Sequence, residues 1–319
     1  MRNLFIFALK AAVSFVLLYF AFSHVKFDPI GQHFDRLQSG WLAAAITILF
    51  AQIALTALRW QRIVVYGGTP DAAPFTIARA LRYGFIAAFF NQTLPSTVGG
   101  DAVRIWLLRR DRGDWRIAAY SVLIDRLVGV MVLATLVIVC LPWSFALISN
   151  IPGRIALLIV GFGSITACSM FLALGFVRWQ WLGRWWLTRQ LTAAAATAHL
   201  VFGSARSGPP IFVYSLAVHF MSATAAWCLA KSFAAPLEWS QALLLILPVL
   251  LIATVPLSIA GWGTRETAMV LAFGYAGLPE SDGLMISLLL GLAAFAAGLP
   301  GGIVWILDRG SREVRQPAR

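Results

Sequence analysis

Apolar runs of membrane length alternate along the chain with short polar clusters. Six runs are long enough to cross a bilayer: Leu4–Phe22, Trp41–Leu58, Ile117–Leu141, Ile155–Val177, Ile211–Ala230 and Gly283–Leu307. Ile155–Val177 holds 23 residues and Gly283–Leu307 holds 25, none of them charged. About 20 apolar residues in a helix suffice for a hydrocarbon core roughly 30 Å thick. Two further apolar runs end in helix breakers. Phe75–Phe90 leads into Pro95, Gly99 and Gly100, and Ala242–Val255 leads into Pro256, Gly261 and Gly263, with a short helical stretch after each. Open backbone at membrane depth is tolerated only where protein or a wet cavity satisfies it. Each unit therefore predicts a re-entrant hairpin that enters and leaves by one face. The expected fold is an all-α polytopic membrane protein of six full transmembrane helices plus two re-entrant broken-helix hairpins.

Composition adds that nothing else is present to fold. Hydrophobic residues make up 60% of the 319 and charged residues 12%, about half the charge density of soluble domains. Residues 1–308 read as one membrane domain and 309–319 as a basic cytoplasmic tail. The first run lacks a small-residue cleavage site and is expected to stay as a span. The net charge of +12 invites a nucleic-acid reading, but 22 of the 25 basic residues are Arg scattered between apolar runs. Bases at membrane flanks set orientation and meet anionic headgroups, so no nucleic-acid partner is expected. With the N-terminus in the cytoplasm and both hairpins re-entrant, 18 Lys/Arg face the cytoplasm, Arg59 among them as a flank of the second run. Four lie outside (Lys26, Arg36, Arg154, Lys231) and three within apolar segments (Lys10, Arg126, Arg265). This bias predicts an inner (plasma) membrane protein of a bacterium with both termini cytoplasmic. The linker from Arg178 to Arg206, with four Trp among its Arg, reads as a stretch along the inner surface or as an ordinary aromatic belt. Cys140, Cys168 and Cys228 form no CxxC pair, so neither a disulfide framework nor a metal site is expected.

The two broken units share a spacing. Pro95, Gly100 and Arg104 recur as Pro256, Gly261 and Arg265, each displaced by 161 residues. The same displacement carries the first run onto the fourth, the second close to the fifth, and the third onto the sixth. Three crossings per half is an odd number, so the second half (151–308) is expected upside down relative to the first (1–150), an inverted-topology repeat.

Ionisable side chains at membrane depth cost at least about 2.5–3.5 kcal/mol each on insertion scales, so they need partners or a function. The candidates are Asp101, Arg104, Asp125, Arg126, Arg265 and Glu266. Neighbours on a helix point about 100° apart, so Asp125 and Arg126 are not expected to pair with each other. Arg104 with Asp125 and Arg126 with Asp101 is one solution. Such a set reads either as an ion-pair cluster fixing the hairpin or as a polar seat for an anionic headgroup. Because both Arg follow a Pro/Gly break, where helix dipole and free N–H groups favour an anion, Arg104 and Arg265 are expected to flank one cavity. Asn91, Gln92 and Thr93 read as caps or as donors to a ligand, and His219 as hydrogen-bonded packing or a proton relay. Gly291, Gly298, Gly301 and Gly302 read as close helix packing. The sequence shows no nucleophile–base set, P-loop or paired catalytic carboxylates, so neither an enzyme nor a cofactor is expected.

The segments Asn91-Gln-Thr-Leu-Pro-Ser-Thr-Val-Gly-Gly-Asp-Ala-Val-Arg104, Asp125-Arg-Leu-Val-Gly129 and Pro256-Leu-Ser-Ile-Ala-Gly-Trp-Gly-Thr-Arg-Glu266 together resemble the lysylphosphatidylglycerol synthase transmembrane region, a flippase-like integral membrane family. The resemblance runs from about residue 5 to 308. It implies lipid handling at Asp101, Arg104, Asp125, Arg126, Arg265 and Glu266, with anionic phospholipids, glycolipids or polyprenyl-linked lipids as substrates and enzymes of lipid or glycan biosynthesis as possible partners. Aminoacylation is not implied, because the soluble aminoacyl-transfer domain would take several hundred further residues. The expected function is a lipid translocase; the alternative is a non-transporting membrane subunit or a lipid-modifying enzyme.

Overall fold

The computed structural model describes residues 15–16, 18–20, 37–68, 74–94, 98–176, 185–255 and 263–313. Among them the ordered elements are helical: α1 Ser39–Gly67, α2 Ile77–Thr93, α3 Gly99–Arg112, α4 Trp115–Leu147, α5 Ile151–Ala173, α6 Trp186–Gly203, α7 Gly208–Ser232, α8 Trp239–Ala253, α9 Thr264–Tyr275 and α10 Glu280–Glu313. Five are long and apolar enough to cross a membrane, namely α1, α4, α5, α7 and α10 to Asp308. They coincide with five of the six runs read from the sequence. Most of the remaining run, Leu4–Phe22, lies outside the described residues.

Both broken units are helix–break–helix pairs, with α2 packed on α3 and α8 packed on α9. Pro95, Pro256 and Gly261 lie outside the described residues, but three of the predicted breakers show their purpose. A Cβ on Gly100 would strike the Ala87 carbonyl of α2, and one on Gly99 would come within 2.8 Å of Leu94; only glycine lets the two arms cross so closely. Gly263 holds φ at +96°, which L-residues rarely adopt, at the start of α9. Ordinary capping fixes the other ends. Thr76 accepts from Arg79 N–H, Asp114 from Arg116 N–H and Asn150 from Gly153 N–H, while Gly113 closes α3 in the left-handed conformation.

Helix packing repeats between the halves. α1 packs on α2 as α7 does on α8, and α3 on α4 as α9 does on α10. Across the halves, α2 lies on α10 as α8 lies on α4, and α1 on α10 as α7 lies on α4. α1 and α7 also pack on each other, so exchanging α1, α2, α3 and α4 with α7, α8, α9 and α10 returns the same contacts among those eight helices. The α2–α10 contact brings backbones together. A Cβ on Gly301 would strike the Phe85 carbonyl, and Cβ atoms on Gly302 and Gly298 would meet Phe89 and Ala88 at 2.9–3.3 Å and 3.4 Å, so Gly298, Gly301 and Gly302 serve close packing as expected.

The described part of the Trp/Arg linker forms α6. Its contacts fall on helix ends: Gln190 on Tyr120 near the start of α4, Thr197 against Gly67 at the end of α1, and His199 on the Leu172 carbonyl at the end of α5. Ser207, just before α7, donates to the Val201 carbonyl. These contacts place α6 against the ends of α1, α4, α5 and α7, with Trp185, Trp186 and Leu187 exposed. Residues 177–184 of the linker lie outside the described set.

Candidate functional site

α3 and α4 bring together four of the six predicted site residues. Arg104 Nη1 donates to Asp125 Oδ2 at 3.0 Å, and Arg126 Nε donates to Asp101 Oδ2 at 2.7 Å. These are the two pairings the spacing suggested. Arg104 Nη2 adds a bond to Asp101 Oδ1 at 2.6 Å, one turn back on α3. The network therefore ties the two helices of the α3–α4 hairpin at matching height: Asp101 stands eleven residues before Arg112, and Arg126 eleven residues after Trp115.

A fifth member escaped the sequence reading. Arg59, assigned there to a cytoplasmic flank, is buried within α1 and donates from Nε to Asp125 Oδ1 at 2.8 Å and from Nη1 to Ser215 on α7 at 3.1 Å. The correction has a simple cause. α1 does not stop at Leu58 but runs to Gly67. The signal was present, since Trp60, Ile63 and Val64 continue the apolar pattern beyond the charge at helical spacing and are fully buried. Trp60 also lies under Arg104, whose guanidinium carbon is 5.1 Å from the ring centroid, and Trp60 Nε1 donates to Ser121.

The network forms one wall of a cavity of about 340 Å³. α1, α4, α7 and α10 contribute its sides, through Gln52, Leu133, His219 and Ala297 among others. Asn91 and Gln92 reach it from the end of α2, and Thr254 from just past α8. The cavity thus lies between the ends of the two broken units. Asn91 acts as a cap, its Oδ1 accepting the Gly100 N–H at 2.9 Å. His219 Nε2 lies 2.9 Å from the Gly129 carbonyl; a carbonyl only accepts, so the ring donates there. Gln52 Nε2 donates to Ser222.

Arg265 and Glu266 do not share this space, and the expectation that Arg104 and Arg265 flank one cavity is corrected among the described residues. Arg265 Nε donates to Ser287 on α10 at 2.9 Å and Nη2 to Glu266 Oε1 at 2.8 Å. Glu266 is fully buried, and its Oε2 accepts the Gly263 N–H at 2.7 Å. That carboxylate replaces an external anion at the start of α9. The two halves still share one device: the Arg after each break reaches the next long helix, Arg104 to α4 and Arg265 to α10.

Electrostatics distinguish the cavity wall. Three guanidinium groups (Arg59, Arg104, Arg126) and two carboxylates (Asp101, Asp125) are among the described lining residues. Arg59, Arg104 and Asp125 are almost wholly buried, whereas 42% of the Arg126 side chain stays exposed. Among the described residues no group of His, Cys, Asp and Glu could hold a metal ion. The family profile described as the lysylphosphatidylglycerol synthase TM region matches residues 7–302. No curated protein matches the chain.

Proposed function

Because the chain belongs to the lysylphosphatidylglycerol synthase transmembrane-region family, and is thereby an integral membrane protein of lipid metabolism or transport, we propose that it is a lipid translocase for lipids with an anionic headgroup. The observation that carries this reading is a cavity lined by Arg59, Arg104 and Arg126 and bounded by helices of membrane length. Ionisable groups at membrane depth are costly without a partner or a function, and guanidinium groups lining a cavity suit an anionic headgroup. The cavity volume falls in the range of small-ligand sites, about 300–1,000 Å³. It suits a headgroup and not a whole two-chain lipid, so the acyl chains stay in the bilayer while the headgroup takes the protein path.

The architecture that goes with this function is six spans, two re-entrant hairpins and an inverted repeat, in an inner membrane of a bacterium with both termini cytoplasmic. Its support is the exchangeable packing of the halves and the basic residues gathered where α3 ends and α4 begins: Arg109, Arg110, Arg112 and Arg116. Two halves that can swap conformations give a site open to either side in turn. The protein acts on lipids without altering them, beside enzymes of lipid or glycan synthesis that make or use its substrate. The test is translocation of tail-labelled anionic and zwitterionic phospholipids by the purified protein in vesicles.

A further inference from the structure

In the cavity wall, Gln52 joins α1 to α7 by a hydrogen bond whose direction is fixed. Gln52 Nε2 donates to Ser222 Oγ at 2.9 Å, and Ser222 Oγ donates in turn to the Val218 carbonyl at 3.0 Å. A hydroxyl carries one proton. Ser222 places its own on Val218, so toward Gln52 it can only accept, and the amide must turn its Nε2 that way. Oε1 is then left on the other side, buried, with no donor among the described residues. A buried acceptor without a donor is unfavourable and calls for a reason.

His219 holds the complementary group. It stands three residues before Ser222 on α7, so the two are neighbours on the helix surface, and both Gln52 and His219 line the cavity. Its Nε2 keeps a proton on the Gly129 carbonyl of α4 at 2.9 Å. In the neutral ring Nδ1 is therefore the acceptor nitrogen. Of the described lining residues that can carry charge, Arg59, Arg104, Arg126, Asp101 and Asp125 are joined in ion pairs. His219 remains, the side-chain type whose charge changes most readily near neutral pH. The helices packed on α7 set its surroundings. α1 brings Arg59, bonded to Ser215 one turn before His219, and α4 brings Asp125 and Arg126 one turn before Gly129. α8 and residues 283–307 of α10 contain no titratable side chain, and α6 meets α7 at Ser207, about three turns away.

We propose that Gln52 and His219 form a proton-binding site where α1, α4 and α7 meet. The doubly protonated ring donates from Nε2 to Gly129 and from Nδ1 to Gln52 Oε1, which gives the buried amide oxygen its donor. The proton comes from the aqueous phase and returns to it. This cation stands one helical turn from the Arg59–Ser215 bond, so an anion in the cavity favours it, and by reciprocity the proton favours the anion. An anionic headgroup and a proton are thereby taken up together. That linkage rests on the reading of the cavity as a headgroup site; the proton site itself does not.

Solid-state NMR of the full protein with ¹⁵N-labelled histidine, reconstituted in vesicles, reads both ring nitrogens without any need for transport. His219 is assigned by contact of its Nε2 with a labelled glycine carbonyl, and His199 by contact with the Leu172 carbonyl at the bundle end. The neutral His219 ring should carry its proton on Nε2. At a fixed pH within its titration, Gln52→Met should lower the ratio of charged to neutral ring about tenfold, the equivalent of one charge-assisted hydrogen bond. Should that variant not fold, Gln52→Glu replaces it and should raise the ratio. In the unsubstituted protein the ratio should rise about tenfold from phosphatidylcholine to phosphatidylglycerol vesicles, beyond any change at His199, which reports the membrane surface. A neutral ring protonated on Nδ1, or a ratio that neither Gln52 variant moves, would overturn the proposal. A ratio that follows Gln52 but is the same in both lipids would support the proton site and remove the headgroup reading of the cavity instead.

Discussion

Arg59 and Asp125, 66 positions apart in sequence, meet at 2.8 Å with 7% and 2% of their side chains exposed. Asp125 accepts from Arg104 as well, so one carboxylate joins α1, α3 and α4, and through Ser215 on Arg59 reaches α7. Asp125→Asn should take from buried Arg59 its carboxylate and leave Arg104 with Asp101 alone, and cost about 3–5 kcal/mol. Arg126→Gln, which leaves Asp101 its bond from Arg104, should cost less. Thermal unfolding of the two purified variants in one detergent checks this. A similar midpoint for both would show that the network does not hold the fold.

The α2–α10 contact makes a second prediction. Gly301→Ala places a methyl group on the Phe85 carbonyl, and overpacking of this kind costs about 1–3 kcal/mol. Gly40→Ala, where nothing lies within 4 Å of the added Cβ, should be neutral or gain up to about 1 kcal/mol of helix propensity. The two thermal midpoints should move in opposite directions, or only the Gly301 variant should move.

Orientation is tested by single-cysteine labelling in intact cells. Ser149→Cys and Pro279→Cys, between α4 and α5 and between α9 and α10, should react with a membrane-impermeant maleimide from outside. Arg109→Cys and Arg189→Cys should react only after the membrane is opened. Labelling of Arg189→Cys from outside would reverse the side assigned to α6 and remove the re-entrant arrangement.

Much of this was legible in the sequence because membrane helices must be long, apolar and internally satisfied. Five runs, two breaks and both cross-pairings of Asp101, Arg104, Asp125 and Arg126 follow from those demands alone. What escaped depended on three-dimensional context. Arg59 follows an apolar run, where a charge marks either a membrane exit or a buried partner; only Asp125 on another helix decides, with the Trp60–Val64 continuation as a hint. Arg265 matches Arg104 in spacing, yet an acid at i+1 in place of i−3 turns it onto Glu266 and Ser287 and away from the cavity. The matched spacing showed equivalent positions in the two halves, while the neighbouring acid set what each Arg touches.

The central claim is that the protein moves lipids with anionic headgroups through the cavity lined by Arg59, Arg104 and Arg126. The most direct measurement reconstitutes it into vesicles carrying tail-labelled phosphatidylglycerol or phosphatidylcholine and follows bleaching by an impermeant reductant. In protein-free vesicles about half the label is protected in the inner leaflet. With the protein, phosphatidylglycerol should become fully reducible while phosphatidylcholine stays near the protein-free level. Arg126→Gln should slow the phosphatidylglycerol rate by about tenfold, the loss of one charge-assisted hydrogen bond. No acceleration across a panel of anionic lipids, or equal rates for the two headgroups, would contradict the account.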